Sequence, residues 1–204
     1  MTDAAPVPKG RAPHRRDENA RLAVLHAADD LLAERGFGGL TIEGIAARAG
    51  VAKQTIYRWW RSKVDILLDT LVEDADRDLP VPDPGAGAAA ESIRGYLRGL
   101  AGFLTDEPAG KVLLALVGEA QHDPATARAF GQRYLAPRRE AELAVLRHGI
   151  ASGELPSDLD PGDALDALCG PVFYRALTGR PVTPDFADSL VAGVLGDGGV
   201  GIVR

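Results

Sequence analysis

Along the chain, apolar side chains recur at spacings of three and four, never in sustained alternation, a pattern that predicts helices and no sheet. Leu22, Leu25, Ala28 and Leu32 share one face of a helix over about 17–35, opened by the acidic Asp17 and Glu18 and closed by Gly36. Thr41 is a suitable N-cap for a short second helix that gathers Ile42, Ile45, Ala46 and Ala49 on one face and stops at Gly50. A third helix is expected from Ala52 to Trp60. A fourth starts at the capping Ser62 and runs through Val64, Leu67, Leu68, Leu71 and Val72 to about Leu79.

Residues 80–88 (PVPDPGAGA) break every periodicity, and a domain boundary is placed there. Helical spacing resumes with Ile93, Leu97, Leu100 and Leu104, then with Val112, Leu113, Leu116 and Val117. Asp123-Pro124, Asp160-Pro161 and Thr183-Pro184 each set an N-capping side chain before a proline suited to the first helical position. They predict helices over about 124–151, 161–177 and 184–195, with Pro137 expected to kink or split the first. The expected organisation is all-α with about nine helices. A flexible basic arm (1–16) precedes a three-helix unit (17–63) and a connecting helix (64–79); a C-terminal helical bundle (80–195) and a flexible tail (196–204) follow.

Composition narrows the class. The chain has 204 residues and one cysteine, Cys169, which excludes an intrachain disulfide framework and a zinc site built from several thiolates. No run of about 18 apolar residues occurs, and the N-terminus is Pro-rich and charged where a signal peptide would be apolar, so a cytoplasmic protein with no membrane span is expected. The net charge of −6 conceals an uneven distribution. Residues 1–63 hold 11 Lys and Arg against 7 Asp and Glu, and the remainder holds 12 against 22. From Gly44 to Lys63 there is no acidic residue, while Arg48, Lys53, Arg58, Arg61 and Lys63 are basic. Such a stripe suits a polyanion, although charge alone would equally describe a solvated face with no partner.

Two short helices separated by Ala49-Gly50-Val51, behind a longer helix, have the layout of a helix-turn-helix, whose later helix enters the major groove of DNA. Gly50 suits the left-handed turn between them, and Val51 is apolar enough to plug the junction. In the segment that follows, Ile56 and Trp60 are expected to face inward. Lys53, Gln54, Thr55, Tyr57, Arg58 and Trp59 would be left outward with donors, acceptors and aromatic edges suited to bases and phosphates. The aromatic residues could alternatively be plain core.

On these residues the chain resembles the TetR family of transcriptional regulators. The string TIEGIAARAGVAKQTIYRWWRSKVDIL matches the family's DNA-binding pattern at Thr41, Ile45-Ala46, the Ala49-Gly50-Val51 turn, Thr55-Ile56-Tyr57 and Lys63, and the resemblance covers residues 17–67. Ala52 and Trp59-Trp60 depart from it. Ala52 replaces a usual Ser or Thr and removes a cap. The resemblance implies phosphate contacts from Thr41, Tyr57 and Lys63 and groove contacts from the segment Lys53 to Trp59. Arg48 joins this expected DNA-binding set. It further implies a homodimer formed through the helices at 161–177 and 184–195, whose Leu165, Leu168, Val172, Leu177, Phe186, Leu190, Val191 and Leu195 would serve a single core equally well.

Enzyme signatures fail on context. Gly85-x-Gly87-x-x-Ala90 follows a proline-rich linker and Gly196-x-Gly198-x-x-Gly201 has no helix after it, so neither suits a dinucleotide. Glu119 and His122 have the spacing of a di-iron ligand pair, but no second copy exists. No enzyme, metal or cofactor is therefore expected. A pocket for a moderately apolar small molecule between the C-terminal helices is expected instead, with Phe103, Gln121, His122, Phe130, Tyr134, Cys169, Phe173 and Tyr174 as candidate lining. The resulting expectation is a dimeric regulator that binds a palindromic double-stranded operator and represses until an effector binds. A ligand-independent regulator, an activator, and a helical enzyme or carrier with an incidental basic head are the alternatives.

Overall fold

The computed structural model describes residues 13–196, and among these every regular element is helical. Nine helices follow in order. They are α1 (Pro13–Gly39), α2 (Ile42–Ala49), α3 (Lys53–Tyr57), α4 (Lys63–Asp78), α5 (Ala89–Thr105) and α6 (Pro108–Ala120), then the long α7, then α8 (Pro161–Leu177) and α9 (Pro184–Leu195). Most of the expected basic arm and nearly all of the tail lie outside the described residues; the arm's last four, 13–16, already belong to α1. The chain divides into two compact units after Ile66.

In the first unit, the expected stop at Gly36 is a break inside α1, where this residue has φ +66° and ψ 176°. Val24, Leu25, Ala28, Leu31 and Leu32 of α1 are buried together with Ile45 of α2, Ile56 of α3, and Leu40 and Trp60 from the connections. The third helix is shorter than its sequence suggests. It spans only Lys53–Tyr57, and Ala52 at its N-cap position makes no side-chain cap. Without that cap, and with Trp60 turned into the core, five residues are all that the packing sustains.

The second unit is built on Leu67, Leu68 and Leu71 of α4, Ile93, Leu97, Leu100 and Leu104 of α5, and Val112, Leu113 and Leu116 of α6, all buried. Each of the three anticipated caps forms. Asp123 accepts from the backbone N–H groups of Ala125 (3.1 Å) and Thr126 (3.0 Å), Asp160 from Asp163 (2.9 Å) and Thr183 from Phe186 (3.3 Å). Just before Pro137 the regular helix is interrupted: Pro124–Phe130 continues through a π-helical stretch, Gly131–Leu135, into Ala136–Ser152, and the three together form α7. A proline has no N–H to give to the carbonyl four residues back and its ring presses on that carbonyl. One wide turn, in which Ala136 N–H reaches Gly131 O, accommodates both effects just before it.

Candidate nucleic-acid interface

The junction of α2 and α3 rests on Gly50, whose φ of 67° and ψ of 30° lie in the left-handed region open to glycine at little cost. Its N–H and that of Val51 (3.1 Å) both return to Ala46 O, which closes α2 and turns the chain into α3. At the other end of α2, Thr41 Oγ1 accepts from Gly44 N at 3.1 Å. Ile56 and Trp60 are buried as anticipated, and Trp60 meets Trp59 edge to face with ring centroids 5.4 Å apart. What α3 and its continuation leave exposed is Lys53, Gln54, Tyr57 (54% exposed) and Arg58, with Thr55 and Trp59 half-buried between them. Arg58 lies 4.9 Å from the centroid of the Trp59 ring, so this indole is flanked by a cation on one side and by core on the other.

The acid-free stretch of sequence is not acid-free in space. Arg48 is held bidentately by Glu34 of α1 (2.6 and 2.7 Å) with Asp30 beside it at 4.0 Å, Lys53 by Glu43 of α2 (2.7 Å), and Arg58 by Asp17 of α1 (2.9 Å). These contacts hold the carboxyls of Glu34 and Glu43 below the usual range, chiefly through the hydrogen bonds from Arg48 and Lys53. All are exposed pairs of the kind worth only about 0–1 kcal/mol, weak enough for a phosphate to compete for the cation. Lys63 is engaged differently. Its ammonium donates to the carbonyls of Phe37 (2.7 Å) and Leu40 (3.2 Å) and lies 4.0 Å from the centre of the Phe37 ring, which fastens the first residue of α4 to the end of α1. Sequence spacing alone gives no signal for this second task.

A cavity of about 560 Å³ opens within the second unit. Of the eight side chains expected around a pocket, Tyr134, Cys169 and Phe173 line it. Phe103 and Phe130 are core residues instead, and Tyr174 is 61% exposed. Gln121 and His122 stand at the end of α6, where Gln121 Nε2 reaches back to Val117 O. The lining that the sequence did not reveal comes from α5 (Tyr96, Leu100), from around the π-helical turn (Gly131, Arg138, Glu142) and from α8 (Leu165, Asp166, Gly170). A π-turn is legible only once the whole helix is seen to run through its proline. Burial pushes the Tyr134 hydroxyl and the Cys169 thiol up to about 12, so both are neutral at physiological pH. Among the described residues no group of three or more His, Cys, Asp or Glu could hold a metal ion, and no helix is long and apolar enough to cross a membrane.

A three-helix unit with a glycine turn and an exposed polar helix, followed by a larger helical unit with its own cavity, defines a helix-turn-helix regulator. Comparison with known proteins agrees. Residues 24–70 match the model for bacterial regulatory proteins of the tetR family, and residues 82–194 match the tetracyclin repressor-like C-terminal domain. The HTH-type transcriptional regulator YdeS of Bacillus subtilis (strain 168) is 40% identical over 177 residues, covering 86% of this chain and 88% of that protein. The crystal structure of the TetR family transcription regulator SCO0332 superposes with a TM-score of 0.72 at 35% identity, over 90% of this chain and all of that one. The structure of AibR in complex with isovaleryl coenzyme A and operator DNA shares the fold, with a TM-score of 0.61 at 18% identity over 87% of this chain and 98% of its own. The chain belongs to the TetR family of transcriptional regulators.

Proposed function

We propose that this regulator is a cytoplasmic, non-enzymatic repressor that binds a palindromic operator as a homodimer and releases it when a small molecule fills the cavity of the second unit. The observation that carries the reading is the exposed face of α3, where Lys53, Gln54, Tyr57 and Arg58 project from a helix set off by the Gly50 turn. Gln54 suits an adenine edge and Thr55 a thymine methyl, while Thr41, Arg48, Lys53, Tyr57, Arg58, Trp59 and Lys63 suit phosphates or groove edges. So short a reader covers few base pairs, and specific affinity then requires two copies on two half-sites.

Of the helices proposed to pair the copies, α8 keeps two large side chains outside the core. Leu165, Leu168 and Val172 of α8 and Val191 and Leu195 of α9 are consumed by the core, whereas Tyr174 and Leu177 (58% exposed) remain outside it. For the response, Arg138 supports a route from cavity to reader. Besides lining the cavity it donates to Leu79 O (2.5 Å), the residue that follows α4. A ligand that displaces Arg138 frees that end, and α4 begins at Lys63 in the first unit. An effector that favours one arrangement shifts the population of DNA-competent molecules.

Electrophoretic mobility shift with the DNA upstream of the protein's own gene tests the reading. The expected result is a shifted palindrome, and absence of any such site overturns it. Tyr57→Ala is expected to weaken binding about 10- to 100-fold with no change in melting temperature, since a lost groove contact is worth about 1–3 kcal/mol and this ring is mostly exposed. A second expectation comes from the paired cations. Glu43→Gln releases Lys53 from its intramolecular carboxylate and is expected to tighten operator binding several-fold. The slope of log affinity against log salt should steepen by up to about one. Weaker binding by this variant would remove Lys53 from the phosphate contacts. For the effector, a thermal-shift screen should find compounds that raise the melting temperature and weaken the DNA complex.

A further inference from the structure

The cavity holds a buried carboxylate. Glu142 of α7 is only 8% exposed, yet it lines an otherwise largely apolar space walled by Leu100, Leu165 and Phe173. One of its oxygens accepts from the hydroxyl of Tyr96, and among the described residues that is the hydrogen bond this carboxylate receives. No buried side-chain oxygen or nitrogen in those residues lacks a partner, so the second oxygen is one that the cavity leaves open. That oxygen keeps acceptor capacity to spare in a largely apolar space, and a donor arriving inside the cavity meets it directly.

The neighbouring cations do not supply it. Arg138 donates to Leu79 O (2.5 Å) and to the Tyr96 hydroxyl (3.4 Å), not to Glu142, and stacks with its guanidinium carbon 5.9 Å from the Tyr96 ring centre and 5.5 Å from that of Tyr134. Arg139 is paired with Asp166. At Cys169, also in the lining, burial raises the thiol first, and the charges of Glu142 and Asp166 push the same way against that of Arg139. We infer that the cavity selects an apolar molecule carrying a protonated amine, with the ammonium donating to Glu142 and the apolar body against Leu100, Leu165 and Phe173. The inference rests on the effector reading above and names the chemistry of its ligand.

Isothermal titration of the full-length protein with 4-phenylbutylamine, 4-phenylbutan-1-ol and 4-phenylbutanoate separates the possibilities, because the three share a body and differ in the charge of the head. The amine is expected to bind about tenfold or more tighter than the alcohol, as a charge-assisted hydrogen bond would give, with the acid weakest. Glu142→Gln should erase the preference for the amine. Tyr96→Phe, which leaves the carboxylate without its protein donor, should preserve or enlarge that preference and provides a second test should the glutamine variant fold poorly. Tightest binding by the acid, equal binding by all three, binding by none, or an amine preference that survives Glu142→Gln would each overturn the assignment. Mobility shift with the same probes judges the effector reading separately. An acid or alcohol that binds and releases DNA leaves that reading standing while the amine assignment fails. An amine that binds through Glu142 yet leaves DNA affinity unchanged does the reverse.

Discussion

Replacing Trp60 with alanine is expected to unfold the DNA-reading unit and abolish operator binding while the second unit stays folded. The indole is 3% exposed and closes a small core with Ile45, Ile56 and Leu40. Its removal from such a site costs about 3–5 kcal/mol, from the lost transfer energy and the cavity left behind. The unit that contains it ends at Ile66, and a domain of that length has about 3–10 kcal/mol of stability in total. The single change is therefore comparable with the whole. Calorimetry should lose or lower one transition and keep the other, and the variant should still respond to ligands of the cavity. If Trp60→Ala bound DNA with normal affinity and melted normally, the assignment of this residue to the core of the reader would be wrong. The contrast with Tyr57→Ala, expected to lose binding and keep stability, separates a side chain that builds the reader from one that reads.

The second large effect is expected at Gly110, in the first turn of α6. A Cβ there would lie 2.0 Å from the carbonyl oxygen of Phe103 and 2.9 Å from Leu104 Cα, both backbone atoms of α5 that no rotamer change can move aside. Only Asp106 and Glu107 connect the two helices, so α6 has little freedom to retreat. Gly110→Ala should then cost about 3 kcal/mol, the upper end of ordinary overpacking, and lower the melting temperature of the second unit by about 10 °C. Gly118, in the same helix, has nothing within 4 Å of its would-be Cβ, and Gly118→Ala should stabilise by up to about 1 kcal/mol through helix propensity. Thermal melts of the two variants should move in opposite directions. Equal shifts would mean that the close approach of α6 to α5 does not govern the cost.

The elements with strong local signals were legible from residues alone. Thr41, Asp123, Asp160 and Thr183 cap the helices that follow them, because capping involves a side chain and backbone within three residues of each other. Gly36 and Gly50 mark where helices end for an equally local reason, a backbone angle open to glycine. The sequence predicts a longer α3 because Trp60 continues the helical spacing of Ile56, and only packing shows that its burial is reached beyond the helix end. The cavity was mostly illegible. Phe103 and Phe130 have the character of pocket aromatics but sit inside the core, while Tyr96, Arg138 and Glu142 meet across 46 residues of chain, a distance over which spacing carries no information.

The charge of the reader shows where local and tertiary information part. Local order along the chain already carries an all-helical fold, a basic stripe from Arg48 to Lys63 free of acids, a glycine turn and the identity of the residues on the outward face of α3. Packing in space is what brings Glu34, Glu43 and Asp17 back to hold Arg48, Lys53 and Arg58, and what sets Lys63 to fasten α4 to the end of α1. Helix periodicity and capping act over a few residues and are written into local order. Coulomb interactions and hydrogen bonds depend on distance in space, which folding sets independently of separation along the chain.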